Sequence, residues 1–206
     1  MIGRIFGGAA TAVAFVMVAA PAAAQQQKSE SYDFLQAVRG KDGTKVNNFL
    51  EDKSKRIVNV KDRKTGEGAL HIIVNRSDAT YLRFILQQDD VNPNLQDGRG
   101  NTALNLAASR GWVEGVEILL RYKANVNLAN ASGETPLIRA VQESHSIDIA
   151  DALLKAGANP DRTDNVTGKS ARDYAREGTR WPALAKLLAD APKGQRNAGA
   201  AAGPKL

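Results

Sequence analysis

Residues 100–127 read GNTALNLAASRGWVEGVEILLRYKANVN, and this one stretch holds a complete helix–turn–helix unit. Gly100 is free to take the positive φ of a tight turn. Two residues later Thr102 is suited to capping the orphan backbone N–H groups at the start of a helix. Leu104 to Ala108 is short and apolar, Gly111 interrupts it, and Val113, Val116, Ile118, Leu119 and Leu120 then recur at helical spacing. The spacing predicts two short helices in succession, followed by Ala124-Asn125-Val126-Asn127. So small a pair cannot bury its apolar face alone and must stack on neighbours like itself.

Those neighbours are in the chain. The turn glycine returns as Gly66, Gly100, Gly133 and Gly168, at intervals of 34, 33 and 35 residues. The Asn of the closing segment returns as Asn59, Asn92, Asn125 and Asn159, at 33, 33 and 34. Two landmarks that share one period mark a repeat array. After each glycine comes a helix entry: Ala69-Leu70-His71, Thr102-Ala103-Leu104-Asn105, Thr135-Pro136-Leu137-Ile138 and Ser170-Ala171-Arg172-Asp173. Thr or Ser there is an N-cap, and Pro136 sits where a missing N–H does no harm. Further second helices show in Leu82, Phe84, Ile85 and Leu86 and in Ile147, Ile149, Ala150, Leu153 and Leu154. A degenerate first unit lies upstream, with Phe34, Leu35 and Val38 on one helix and Val46, Phe49 and Leu50 on the next.

At these residues the chain resembles the ankyrin-repeat family, and its bacterial exported type in particular. The period, the turn glycine, the T-P-L-H-like entry and the A-D-V-N-like close carry the resemblance, which is nearest at 100–127 and 133–161. Gly68 departs from it by replacing the capping Thr, and Arg172 departs by replacing the Leu, as suits a solvent-facing end cap. The resemblance implies an all-α ankyrin-repeat solenoid of five helix–turn–helix units with β-turn finger loops, an L-shaped stack with a concave face. The units are expected at about 31–61, 62–94, 95–127, 128–161 and 162–190. It further implies that recognition residues lie beside the turn glycines and on the exposed side of the first helices. Here those are Lys64, Thr65, Glu67, Arg99, Asn101, Ser132, Glu134, Thr167 and Lys169 on the fingers, and Asn75, Arg76, Ser109, Arg110, Gln142 and Glu143 on the helices.

Upstream of the array, Arg4 precedes an apolar run from Ile5 to Ala20 and an A-x-A site at Ala22-Ala23-Ala24, the pattern of a secretory signal peptide spanning 1–24. Residues 25–30 are expected as a linker and 191–206 as a disordered basic tail. The chain has no cysteine, so neither disulfides nor thiolate chemistry is available. Removing the leader leaves 27 basic against 22 acidic side chains, and the segment 25–190 holds 24 against 22. Within it the charge is polarised. Residues 51–64 carry six basic side chains against three acidic, and 129–165 carry three against six. Such a gradient suits either an acidic partner near the N-terminal end or a solvated cap.

No catalytic constellation emerges. His71 stands at the His of the T-P-L-H-like entry, where the resemblance implies a hydrogen bond to backbone between adjacent turns. His145 has no second histidine near it in sequence, and a metal site needs further ligands. Ser144 beside His145 is not a nucleophile pair, because a triad needs converging side chains. Gly168-Lys169-Ser170 lacks the upstream glycine of a phosphate-binding loop. Trp112 and Trp181 each precede a second helix and read either as packing between repeats or as exposed anchors; they are not interleaved with arginine as a base-stacking surface would be.

The sequence therefore predicts a non-catalytic scaffold exported to a bacterial periplasm, without cofactor or metal, and expected as a monomer. Its partner is a protein, with no nucleic acid and no stable membrane insertion after the leader is cut. Two other readings stand beside it: an accessory factor supporting a periplasmic oxidative-stress enzyme, which rests on family analogy, and an intracellular or effector-type protein whose N-terminal segment is not an export signal.

Overall fold

A computed structural model describes residues 22–52 and 57–194. The expected leader, apart from its last residues, and the tail from 195 on lie outside the described residues, as do Lys53, Lys55 and Arg56. The described chain forms five helix pairs: α1 Ala22–Arg39 with α2 Gly43–Glu51, α3 Ala69–Asn75 with α4 Ala79–Leu86, α5 Ala103–Ser109 with α6 Val113–Arg121, α7 Pro136–Arg139 with α8 Ile147–Lys155, and α9 Ala171–Glu177 with α10 Pro182–Asp190. First helices stack in the order α1, α3, α5, α7, α9, and α4, α6, α8 and α10 stack behind them. This is the all-α repeat solenoid expected from the sequence. Residues 25–30, expected as a linker, belong to α1.

One apolar layer runs the length of the stack. Phe34, Val38, Ile73, Leu82, Ile85, Leu104, Leu119, Leu137, Ile149, Leu153, Leu184 and Leu188 are all buried in it. Each buried Leu, Ile or Phe contributes about 1.5–3 kcal/mol by leaving water. The short first helices depend on that packing, being far below the length at which a helix persists alone.

The helix starts behave as their side chains dictate. Thr102, Thr135 and Ser170 accept the N–H three residues on, and Asp42, Asp78 and Ser146 do the same for α2, α4 and α8. Gly68 has no side chain to offer; instead its own N–H donates to Nδ1 of His71, 3.1 Å away. Half of the two-residue excess in the interval between Gly133 and Gly168 has its cause here too, the other residue lying in the finger between Asp164 and Gly168. Repeat four carries one extra residue before its second helix, and the chain absorbs it as a wider π turn over Ala140–Ser144, closed by the His145 N–H on the Ala140 carbonyl. His145 takes a positive φ of 52°, as Lys41, Ser77 and Gly111 do at the same break, and its ring stacks on Trp181 at 4.9 Å.

Arg172 corrects the sequence reading of the last unit. It does not face solvent: its guanidinium pairs with Asp161 and donates to the carbonyls of Leu188, Ala189, Ala191 and Pro192. A long cation thus stands in place of the apolar residue and supplies the donor that the carbonyls at the end of α10 need. Residues 191–194, assigned to the disordered tail by the sequence, are held by this cluster, with the Gly194 N–H donating to Asp161.

Candidate docking face

Four loops, at 62–67, 97–101, 130–134 and 164–169, project between the helix pairs. Each is built around one Asp or Asn. The side-chain oxygen of Asp62 accepts the N–H groups of Lys64 and Thr65, and that of Asp97 those of Arg99 and Asn101. Asn130 takes those of Ser132 and Glu134, and Asp164 those of Val166, Thr167 and Gly168. Such side-chain turns mimic a backbone turn and preset the loop. The Lys64 and Thr65 N–H groups and Arg39 hold the Asp62 carboxyl below its ordinary value. Burial works to raise that of Asp164, but the Tyr174 hydroxyl, 2.6 Å away, and the bonds from Thr167 outweigh it and the net direction is down.

Successive loops are joined by backbone. The N–H of Gly98 donates to the Thr65 carbonyl at 2.9 Å, that of Ala131 to Arg99 at 3.0 Å, and that of Asn165 to Ser132 at 2.8 Å. This contact explains the glycines more fully than their positive φ does. A Cβ on Gly66 would lie 2.3 Å from the Gly98 nitrogen, on Gly100 2.6 Å from that of Ala131, and on Gly133 2.6 Å from that of Asn165. A Cβ on Gly168, which no further loop follows among the described residues, would meet nothing within 4 Å.

Side chains continue the ties inward and behind. His71 is fully buried; with Nδ1 accepting from Gly68, its Nε2–H donates to the Asn101 carbonyl at 2.9 Å. Asn105 repeats this arrangement one unit on, accepting the Thr102 N–H and donating to the Glu134 carbonyl. On the opposite side, the side chains of Asn59, Asn94 and Asn127 accept the backbone N–H groups of Asn92, Asn125 and Asn159 in the next repeat. The recurrent Asn92, Asn125 and Asn159 thus receive the tie through their backbone N–H, while their own side chains accept the N–H two residues on and shape the turn. Burial holds the His71 imidazole below its ordinary value, opposed in part by its bond to Asn101.

These internal bonds sort the residues that the sequence assigned to recognition. Asn101 is corrected: it is 7% exposed, its carbonyl serves His71 and its amide serves Asp97, because the register that turns Arg99 outward turns Asn101 in. Arg76 is committed as well, donating to the carbonyls of Val38 and Arg39 and lying over the Tyr81 ring. Glu67 receives Asn75, Glu134 receives Asn130, and Arg139 bridges Glu134 and Glu143. Ser109 bonds the Leu106 carbonyl. Thr65 and Thr167 bond within their own loops, to Glu67 and Asp164, and Lys169 pairs with Glu177.

Lys64, Arg99 and Arg110 are exposed, Ser132 and Gln142 half-exposed. The sequence reading passed over Arg63, exposed beside Lys64, and Val166, which is 76% exposed on the fourth loop. Their signal was position alone, one residue after the turn-forming Asp62 and two after Asp164. Trp181 is 46% exposed and lines a cleft of about 440 Å³ with Val141, His145 and Tyr174, whereas Trp112 packs over Gly115. Trp112 thus packs within its own unit, and Trp181 both stacks on His145 of the preceding unit and remains half exposed. Among the described residues no group of three or more His, Cys, Asp or Glu side chains is placed to hold a metal ion, and no helix is long and apolar enough to cross a membrane.

Comparison with known proteins falls on the same segment. A family model described as ankyrin repeats, three copies, matches residues 70–164. Residues 70–164 thus match ankyrin repeats. It is 31% identical over 129 residues to BCL-6 corepressor-like protein 1 of Homo sapiens, a match covering 63% of this chain and 7% of that protein. It is 32% identical over 124 residues to ANK repeat-containing protein nipk-1 of Caenorhabditis elegans, covering 53% and 20%, and 32% identical over 101 residues to ankyrin repeat domain-containing protein 63 of Homo sapiens, covering 47% and 26%. The chain spans about a quarter or less of the length of these relatives, all of them eukaryotic. What they share with it is the ankyrin array, whose internal ties are those described above.

Proposed function

We propose that the protein is a non-catalytic scaffold, exported to a bacterial periplasm, that binds a partner protein through its finger loops and the exposed side of its first helices. Ankyrin repeats imply protein–protein interaction, and one observation supports the placing of the face. The backbone of each loop is tied to its neighbour and to its own Asp or Asn, leaving side chains such as Lys64, Arg99 and Ser132 displayed on a framework already ordered. A preordered face loses little conformational entropy on binding. The export half of the reading is supported by the tripartite pattern of residues 1–24.

A photo-crosslinking residue at position 64, 99 or 132 of the full chain, expressed in a Gram-negative host with its own leader, is expected to capture one discrete protein. Charge reversal at Arg99 or Arg110 weakens that capture and leaves helicity intact. Capture that survives both changes and disappears only when the residues after 190 are removed refutes the assigned face. Mass spectrometry of the mature chain tests export: a first residue of Gln25 supports it, and an intact Met1 refutes it.

A further inference from the structure

The charged residues of the fingers are unevenly committed. In the first two fingers the carboxylates are consumed inside the turns. Asp62 receives the N–H groups of Lys64 and Thr65 and the Arg39 guanidinium, and Asp97 receives the Arg99 and Asn101 N–H groups and the Asn101 amide. Glu67 is held by Asn75. The cations of the same fingers are not: Arg63, Lys64 and Arg99 are exposed and make no ion pair among the described residues. Beyond Arg99 the row is neutral in the side chains it leaves free, with Ala131 and Ser132 on the third finger, whose Glu134 is paired with Arg139, and Asn165, Val166 and Thr167 on the fourth. The one cation flanking the fourth finger, Lys169, is bound to Glu177 at 2.6 Å. A finger row with unspent positive charge at one end and none at the other has a direction.

We propose that fingers one and two are the docking site for an acidic segment of the partner protein, recognised by Arg63, Lys64 and Arg99, with the neutral third and fourth fingers receiving an uncharged continuation. This rests on the protein-binding reading above and adds the partner's chemistry and orientation to it. The backbone bond from Gly98 to Thr65 places the two cationic fingers side by side, so an extended segment rising about 3.3 Å per residue spans both within a few residues. Two of the three cations are arginines, whose planar guanidinium matches a carboxylate in two hydrogen bonds. A single-stranded nucleic acid is the poorer fit. Its bases need aromatic platforms, the finger residues include none, and the exposed Trp181 lies in the last repeat.

The test uses the full mature chain and two fluorescent probes of equal charge, a twelve-residue peptide carrying a run of Asp and Glu and a single-stranded oligonucleotide, with the peptide's Asn/Gln counterpart as control. Binding is read by anisotropy. The acidic peptide is expected to bind and its amide counterpart not to. Arg63→Glu, Lys64→Glu and Arg99→Glu together are expected to weaken binding by roughly tenfold or more, and added salt to erode it. An equal reversal at Arg121, Lys123 and Lys186, exposed elsewhere, is expected to change it less than about twofold. Equal losses in both triple variants, tighter binding of the oligonucleotide, or no peptide binding overturns the proposal. Crosslinking of a native partner from position 132 or 166 but not from 64 or 99 also overturns it while leaving the scaffold reading intact; no crosslink from any finger refutes both.

Discussion

Replacing Gly100 by Ala and, separately, Gly168 by Ala divides the two demands that the turn glycine meets. Both positions have positive φ, 78° and 69°, so each variant carries the left-handed strain of a Cβ, about 1 kcal/mol. Only at Gly100 does the new Cβ run into the next finger, 2.6 Å from the Ala131 nitrogen and 3.2 Å from the Asn130 carbonyl carbon. Those atoms are backbone and cannot rotate away. Finger three must shift, and the Ala131 N–H to Arg99 bond lengthens or breaks, for about 1 kcal/mol more. Gly100→Ala is therefore expected to lose roughly 2–3 kcal/mol and Gly168→Ala about 1 kcal/mol. In a domain of this size that is a fall in Tm of roughly 2–4 °C for Gly168→Ala and two to three times as much for Gly100→Ala. Urea unfolding followed by circular dichroism measures both. Equal losses, or a larger loss at Gly168, refute the claim that the fingers are locked by backbone contact.

His71→Asn places at the first helix entry the residue that makes the same two bonds one repeat later. The folded His71 value lies below the unfolded value of about 6.5, so the unfolded chain takes up the proton first. The stability owed to the neutral ring is complete above that pH and is lost as pH falls toward the folded value. The wild-type Tm is expected to drop between pH 7.5 and 5.5 and the variant to drop less; an unchanged slope rejects the assignment. The lowered carboxyls of Asp62, Asp78 and Asp164 add a second loss below about pH 4. Arg172→Leu restores the residue type of the family pattern yet is expected to destabilise by about 2–3 kcal/mol, since it strands Asp161 and the carbonyls after Leu188. Hydrogen exchange would show the loss confined to α9 and α10. Gly115→Ala ought to stabilise a helix by propensity, but its Cβ would fall about 2.0 Å from the Trp112 ring. A net loss of about 1–3 kcal/mol with an altered near-UV spectrum is expected, and a gain refutes the packing assigned to Trp112.

The repeat register was legible because the fold is built from local signals used several times over. A glycine, a cap, a break and an apolar stripe all sit within one unit, and agreement between units removes the ambiguity of any single one. His71 was legible for the same reason, since its position in the entry names its partner. Arg172 was not, because its meaning comes from carbonyls 16–20 residues later, at and beyond the end of α10. Asn101 was misjudged because adjacency to a turn glycine says nothing about which way a side chain faces. Val166 went unremarked, and Arg63 entered only through the basic balance of 51–64, because exposure on a loop leaves no periodic trace.

The sequence by itself determined the period, the five helix pairs, the apolar layer and the cap residues, all properties of contacts within a unit or repeated identically between units. Only the tertiary structure decided which side chains remain available for recognition. That depends on which polar groups are already bonded across a repeat boundary, as Asp62, Arg76 and Asn101 are and the side chains of Lys64 and Arg99 are not, and such bonds link residues some twenty to forty positions apart whose separation carries no chemical signature.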